Sequence, residues 1–257
     1  MNHYHELALT PANRLRLAEA FRHNRRVDFS IDCVIEDQMG RAYADDPDRP
    51  SAWRITIGPF WYFAGDASTP GGRALLAELP PYNLLMPSPP AWAAAAQEMF
   101  GDRLVTFPRT SFDAGSLAEA HLSAILDASP HRDRVRRADA ALLARPDNYI
   151  EIEDFDSADD FLARGIGYTM LEDDKLAGAA YSSLVCSRGI EVSLFIDEPY
   201  RRRGIATAIS AALLLECVQR GLRPNWDAAN RESCALAEKL GYTPAGTYES
   251  YYYTPGS

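Results

Sequence analysis

The spacing of apolar and polar positions changes rhythm about midway along the chain. In the first stretch, Thr10-Pro11 places a hydroxyl at a helix N-cap and a proline at the first helical position. Leu15, Leu17, Ala18 and Phe21 carry that helix onward. Residues 27–35 alternate apolar and polar side chains and predict a strand. The acids and proline of 45–50 mark a loop. Residues 53–64 predict two strands joined by a turn at Gly58-Pro59, 71–79 a short helix and 82–86 a short strand. Pro89-Pro90 opens an alanine-rich helix that runs to Phe100, and 103–107 adds a strand. A helix over 116–128 joins the halves, which sets a boundary near residue 114 between an α/β region, 1–114, and a second domain, 115–257. No repeat shows in the letters.

The second stretch is more regular. Residues 135–138 predict a strand, and Ser157 with Asp160 forms a capping-box pattern before a short helix to Ala163. Three strands follow at 167–171, 178–185 and 190–196, then a helix at 203–219 ended by Gly221 and a strand at 222–226. Asn230 caps a last helix closed by Gly241 at its C′ position, and 247–254 is a tyrosine-rich strand. The order is α+β with a local β-α-β-α-β segment.

Composition narrows the class. A chain of 257 residues holds between one and two domains at about 150 residues each. With 47% hydrophobic and 24% charged residues it is globular, which excludes a disordered tail, a collagen or a disulfide-stapled miniature. The net charge of −10 argues against a nucleic-acid partner and favours cationic or neutral substrates. Cys33, Cys186, Cys217 and Cys234 form no C-x-x-C pair, so they predict buried thiols in a reducing compartment. The five histidines have no metal spacing. Residues 1–6 lack the apolar stretch of a signal peptide, and the apolar helix at 208–218 is too short to span a bilayer. A cytoplasmic protein without a membrane partner is expected. Trp53, Trp61 and Trp92 read as core, and Arg132, Arg134, Arg136 and Arg137 as a solvated strand edge.

The chemically informative stretch is 191–206. A strand leads through Asp197-Glu198-Pro199-Tyr200 into Arg201-Arg202-Arg203-Gly204-Ile205-Ala206, where a helix begins. The first amides of a helix have no intrahelical partner, and the helix dipole adds positive potential there. Gly204 lets a ligand approach the backbone and Ala206 keeps the next turn slim. A pyrophosphate suits such a site; a solvated helix start with three arginines is the plain alternative. The P-loop lysine pattern is absent, and Gly165-Ile166-Gly167 enters a strand rather than leaving one, so nucleotide hydrolysis and hydride transfer lose ground.

The run Arg201-x-x-Gly204-x-Ala206 after a strand resembles the acyl-CoA signature of the GNAT N-acetyltransferase superfamily. Residues 230–242, from Asn230 through Glu238-Lys239-Leu240-Gly241-Tyr242, resemble the later part of the same fold. Pro224-x-Trp226-Asp227-Ala228-Ala229-Asn230 is similar to a subgroup in which a divergent N-terminal half precedes the catalytic domain. The resemblance covers residues 150–246. It implies a mixed, mostly antiparallel GNAT-type sheet flanked by helices, preceded by a smaller or degenerate α/β half, with the catalytic domain at 115–257. It further implies acetyl-CoA as acyl donor. The pyrophosphate would lie on the amides of Arg202, Arg203, Gly204, Ile205 and Ala206, with Arg201 adding charge. The pantetheine arm would pair with backbone groups near Phe195 and Ile196 and touch Asn230, whose other reading is a helix N-cap.

Acetyl transfer to an amine needs a base, because a lysine-like ammonium has a pKa near 10. It also needs donors for the developing oxyanion and a proton for the leaving thiolate. Glu191, where family members often place a glutamate, is the first candidate base; Asp227, Glu249 and a water chain are rivals. The family's usual tyrosine before Glu-Lys-Leu-Gly is Ala237 here. Ser233, four residues earlier on the same helical face, is the candidate acid, alongside Tyr242, Tyr248, Tyr251, Tyr252 and Tyr253 or unassisted thiolate departure. The expected enzyme is an acetyl-CoA-dependent N-acetyltransferase, monomeric or homodimeric. It would act on a primary amine of a small molecule by direct attack in a ternary complex. The acidic surface points to a cationic antibiotic and hence to resistance. A protein or peptide N-acetyltransferase and a non-catalytic acyl-CoA sensor are the alternatives.

Overall fold

The computed structural model describes residues 4–256, so the start of the N-terminal stretch, Met1–His3, lies outside them. Contacts divide the chain into two units, Met1–Arg109 with Thr247–Ser257, and Thr110–Gly246. The sequence reading places one cut near residue 114. By contacts the chain crosses twice, once within each of two long strands.

The first unit runs β1 (His5–Glu6), α1 (Pro11–Ala20), α2 (Ser30–Ile35), β2 (Arg41–Ala44), β3 (Ala52–Ile57), β4 (Phe60–Gly65), α3 (Pro70–Ala77), β5 (Leu84–Leu85) and α4 (Pro90–Phe100). Thr10 and Thr69 cap α1 and α3 by accepting from the amides of Asn13 and Gly72, each with proline next in line. The expected strand at 27–35 is instead α2. Asp28 Oδ1 accepts from Ser30 N at 2.9 Å and turns the chain. Ile31, Cys33 and Val34 are then all buried, a helical spacing that the apparent alternation concealed. Strands β1 and β2 are too short to leave a period in the sequence.

The second unit runs from β6 (Leu104–Asp113, begun in the first unit) through α5 (Glu119–Asp127), β7 (Val135–Arg137), α6 (Ala140–Leu143) and α7 (Ala158–Arg164). It continues with β8 (Gly167–Glu172), β9 (Lys175–Cys186), β10 (Gly189–Ile196), α8 (Ile205–Gln219), β11 (Arg223–Ala228), α9 (Arg231–Leu240) and β12 (Thr243–Tyr253), which returns to the first unit. Half of the capping box at Ser157 forms, with Oγ accepting from Asp160 N at 3.1 Å. The Asp160 carboxylate accepts from Asp156 N and is held by Arg164 instead of closing the box. Helix α8 is apolar almost all round because β8, β9, β10, α5 and α9 surround it.

Strand order is β1-β2-β3-β4-β5-β12 in the first unit and β6-β11-β10-β9-β8-β7 in the second. The pairs β4/β5 and β10/β11 are parallel, and the pairs β1/β2, β2/β3, β3/β4, β5/β12, β6/β11, β7/β8, β8/β9 and β9/β10 are antiparallel, so the protein is α+β with a mixed, mostly antiparallel sheet flanked by helices. The topology repeats where the letters do not. In each unit an antiparallel hairpin (β3-β4, β9-β10) leads through a helix (α3, α8) to a short parallel partner (β5, β11). Strand β5 then pairs with β12, and β11 with β6, so each repeat is completed by a strand distant in sequence.

Candidate functional site

The site grows from the end of β10. Its parallel register with β11 covers Gly189–Arg223, Ile190–Pro224 and Glu191–Asn225 and goes no further. A register shift between Glu191 and Val192 turns the strand, while Trp226, Asp227 and Ala228 of β11 pair with β6. From Val192 to Ile196, β10 stays paired with β9 on one side and parts from β11 on the other. A parting strand offers main-chain N–H and C=O groups to an extended ligand.

Glu191 sits where the strands part. It is buried, and Asn225 Nδ2 donates to both of its carboxylate oxygens, at 3.2 and 2.9 Å. Glu191, expected as the base, is thus a buried carboxylate held by an amide rather than a solvated strand end. Further along β10, Phe195 is partly exposed and its ring lies 4.2 Å from that of Tyr149. The Ile196 carbonyl accepts from Arg201 Nε at 3.2 Å.

The turn after β10 is a 3-10 turn, Glu198–Tyr200, capped by Asp197, followed by two left-handed residues. Arg202 has φ +62° and Gly204 φ +84°. Gly204 is the N-cap of α8 and offers its first amides no side-chain cap. A Cβ at Gly204 would meet only His131, 3.9 Å away, so that face is open to a ligand. The Arg203 side chain is engaged by Glu172 at 3.0 Å and lies over the Tyr200 ring. Ile205 is buried in the core and Ala206 is half-buried.

Asn230 is the N-cap of α9, its Oδ1 accepting from Ser233 N at 2.8 Å. Ser233 Oγ in turn accepts from Trp226 Nε1 at 3.1 Å. Ala237 is fully buried in the core. Tyr242 is also buried, with its hydroxyl donating to Pro224 O at 3.1 Å; burial pushes its phenol well up, helped by Cys217 and Glu191. Such a phenol is a poor proton source. Tyr248, Tyr251, Tyr252, Tyr253 and the rival base Glu249 belong to the first unit. Trp53, Trp61 and Trp92 are core residues, and Cys33, Cys186 and Cys217 are buried thiols, Cys217 pushed up to about 12 chiefly by burial. Among the described residues no group of His, Cys, Asp or Glu is placed to hold a metal, and no helix is long and apolar enough to cross a membrane. The arginine cluster at 132–137 is more than a solvated edge: Arg134 binds His131, and Arg137 forms a bidentate pair with Glu216. Neither contact has a signature in the spacing of the letters.

A family model described as GNAT acetyltransferase matches residues 21–251. An uncharacterized N-acetyltransferase of Bacillus subtilis is 28% identical over 102 residues, which make up 39% of this chain and 39% of that protein. The [ribosomal protein bS18]-alanine N-acetyltransferase of Escherichia coli is 28% identical over 94 residues, 35% of this chain and 64% of that protein. The chain thus spans less than two thirds of either relative. Among solved structures, a GCN5-related N-acetyltransferase-like protein from Streptococcus suis superposes with a TM-score of 0.82 at 28% identity, covering 95% of this chain and all of that one. A tandem GNAT protein from the clavulanic acid biosynthesis pathway superposes with a TM-score of 0.58 at 14% identity, covering 99% of each, a likeness of fold alone.

Proposed function

The chain belongs to the GNAT acetyltransferase family, and on that footing we propose that it moves an acetyl group from acetyl-CoA to a primary amine of a small cationic molecule. The observation that carries this reading is the sequence of features along one strand. Strand β10 parts from β11 after Glu191, then delivers the chain into an uncapped helix N-terminus at Gly204. The turn suits a pyrophosphate because its free amides and the open face of Gly204 leave room for one. Residues Arg202–Ala206 would hold it, Arg201 would add charge, and the main chain at Phe195 and Ile196, with Asn230, would line the pantetheine arm.

Acetyl-CoA, when bound, supplies an activated acetyl thioester. Glu191 acts as base, taking the ammonium proton directly or through one water so that the nitrogen lone pair can attack the carbonyl carbon. A C–N bond forms and the C–S bond breaks. Main-chain N–H groups of the parted β10 edge stabilise the negative charge on the carbonyl oxygen. Ser233, whose hydroxyl can donate while it accepts from Trp226, relays to the thiolate the second proton that the nitrogen sheds as it becomes an amide, so coenzyme A leaves as the thiol and the serine ends protonated.

The first unit is read as a GNAT-like half that has lost its donor site. At the corresponding helix, α3, Thr69 already caps the amide of Gly72 at 3.0 Å, and Asp66 adds negative charge just before it. On β4, Phe63 N donates to Ser88 Oγ at 3.0 Å and Phe63 O accepts from Asn24 Nδ2 at 2.9 Å. The chain's own side chains thus occupy positions that stay open in the second unit. One acetyl-CoA per chain is expected.

Thermal unfolding with and without acetyl-CoA tests the donor site. At 100 times its dissociation constant a ligand adds about 2.7 kcal/mol of stability. Amine-dependent release of coenzyme A, screened first on polycationic antibiotics, then tests the acceptor. No shift at millimolar acetyl-CoA would overturn the donor reading, and a shift without release on any amine would leave a non-catalytic acyl-CoA sensor. The Escherichia coli relative motivates a second reading, acetylation of a protein N-terminus; release on peptides alone would establish it.

A further inference from the structure

We infer that His131 is a positioning residue for the donor's pyrophosphate, acting through the carbonyl of Arg203; this rests on reading the turn before α8 as the phosphate site. His131 is buried beside that turn. Its Nε2 lies 2.6 Å from Arg203 O, and its Nδ1 lies 2.7 Å from Arg134 Nη2. A carbonyl only accepts and a guanidinium only donates, so the two partners select one tautomer: Nε2–H donates to Arg203 O, and Nδ1 accepts from Arg134.

The network closes on itself. Glu172, at the end of β8, pairs with Arg203 at 3.0 Å and faces Arg134 at 3.7 Å. The imidazole is anchored from below, with His131 N donating to Ser129 Oγ and His131 O accepting from Arg134 N and Val135 N.

The consequence for the ligand follows from peptide planarity. In a trans peptide the carbonyl and the next N–H point in opposite directions. Holding Arg203 O against His131 therefore aims Gly204 N–H away from the imidazole and fixes its direction. Of the residues this peptide joins, Gly204 is left-handed, and so is Arg202, the residue before Arg203. A left-handed arginine is disfavoured unless its surroundings impose it. By holding the peptide that follows Arg203, one residue beyond Arg202, His131 restricts the turn where the amides must converge on an anion. Arg134 and Glu172 keep the ring and the Arg203 side chain in register.

The test compares two ligands in the full chain by calorimetry: coenzyme A, and pantetheine, which lacks the phosphates. Wild type is expected to prefer coenzyme A. His131→Leu should lose about tenfold in coenzyme A affinity, the scale of one hydrogen bond to an anion-binding turn, with pantetheine affinity unchanged. His131→Gln, whose amide can donate to Arg203 O, should recover most of the loss. A general loss of structure would weaken both ligands and would not be rescued. If His131→Leu does not fold, Arg134→Met, altered at a largely exposed side chain, should show a smaller loss confined to coenzyme A. Unchanged preference in the folded variants overturns the inference about His131. No preference for coenzyme A in wild type would overturn the phosphate reading itself.

Discussion

Asn225 Nδ2 spans both carboxylate oxygens of Glu191, its register partner across the short parallel pair of β10 and β11. An amide donor shared between two oxygens favours the ionised carboxylate and fixes its plane. If Glu191 is the base, Glu191→Gln should lower turnover by about 100-fold or more while acetyl-CoA affinity stays the same. Asn225→Leu removes a donor that favours the charged form, so the acid limb of the rate profile should move to higher pH. Rates measured against pH for the three proteins check both. Wild-type turnover in Glu191→Gln would remove it as base, and an unmoved limb in Asn225→Leu would detach the amide from the chemistry.

Gly204→Asp should abolish acetyl-CoA binding in a folded protein. The position is left-handed, a region that aspartate tolerates better than most residues. A carboxylate at this N-cap can satisfy the first amides of α8, which have no side-chain cap in the native chain. The variant would keep its helix and lose its anion site. Titration calorimetry with acetyl-CoA, alongside a thermal melt, separates the two effects; native affinity would sink the site assignment.

Ser233→Ala should cost stability before it costs rate. The substitution leaves Trp226 Nε1 without its partner inside the core, at about 1–3 kcal/mol. Turnover should fall by about tenfold or less, because a thiolate with an unperturbed pKa near 8.5 can leave unassisted. Denaturant unfolding and steady-state rates measure both. Unchanged stability would mean that the indole finds another acceptor.

Arg145 holds Asp147 far below the ordinary carboxylate range, at about 2, and Leu176 N donates to the same carboxylate. Because the folded value is depressed, the stabilisation is present above the ordinary value of 3.8 and is lost as pH falls towards 2. Arg145→Gln should therefore be less stable than wild type near neutrality, with the gap closing between about pH 4 and pH 2. Unfolding curves across that range test the sign; a gap that widened on acidification would be the wrong one.

Where period and cap agree, the letters alone locate elements of this fold. Thr10, Ser157, Asn230 and Gly241 mark helix ends because a cap satisfies amides or carbonyls only a few residues away. The uncapped, glycine-opened turn before α8 was legible for the same local reason, and so was the apolar character of that helix. The alternation at 27–35 misled because buried residues on both a helix and a strand can match a short apolar run.

Other features depend on partners far away in sequence. The parting of β10 from β11, the completion of each repeat by β12 or β6, and the return of 247–257 to the first unit are choices of strand pairing. Pairing leaves no local period. The same holds for the bonds from Asn225 to Glu191 and from His131 to Arg203, which join residues that only the folded sheet brings within reach. The sequence by itself determined where several helices begin and end with their caps, and where a glycine opens a helix without a side-chain cap, because those are short-range matters of backbone satisfaction. Only the tertiary structure decided which carboxylate is buried and held, which turn is braced and which is already filled, because those depend on hydrogen bonds closed across long loops.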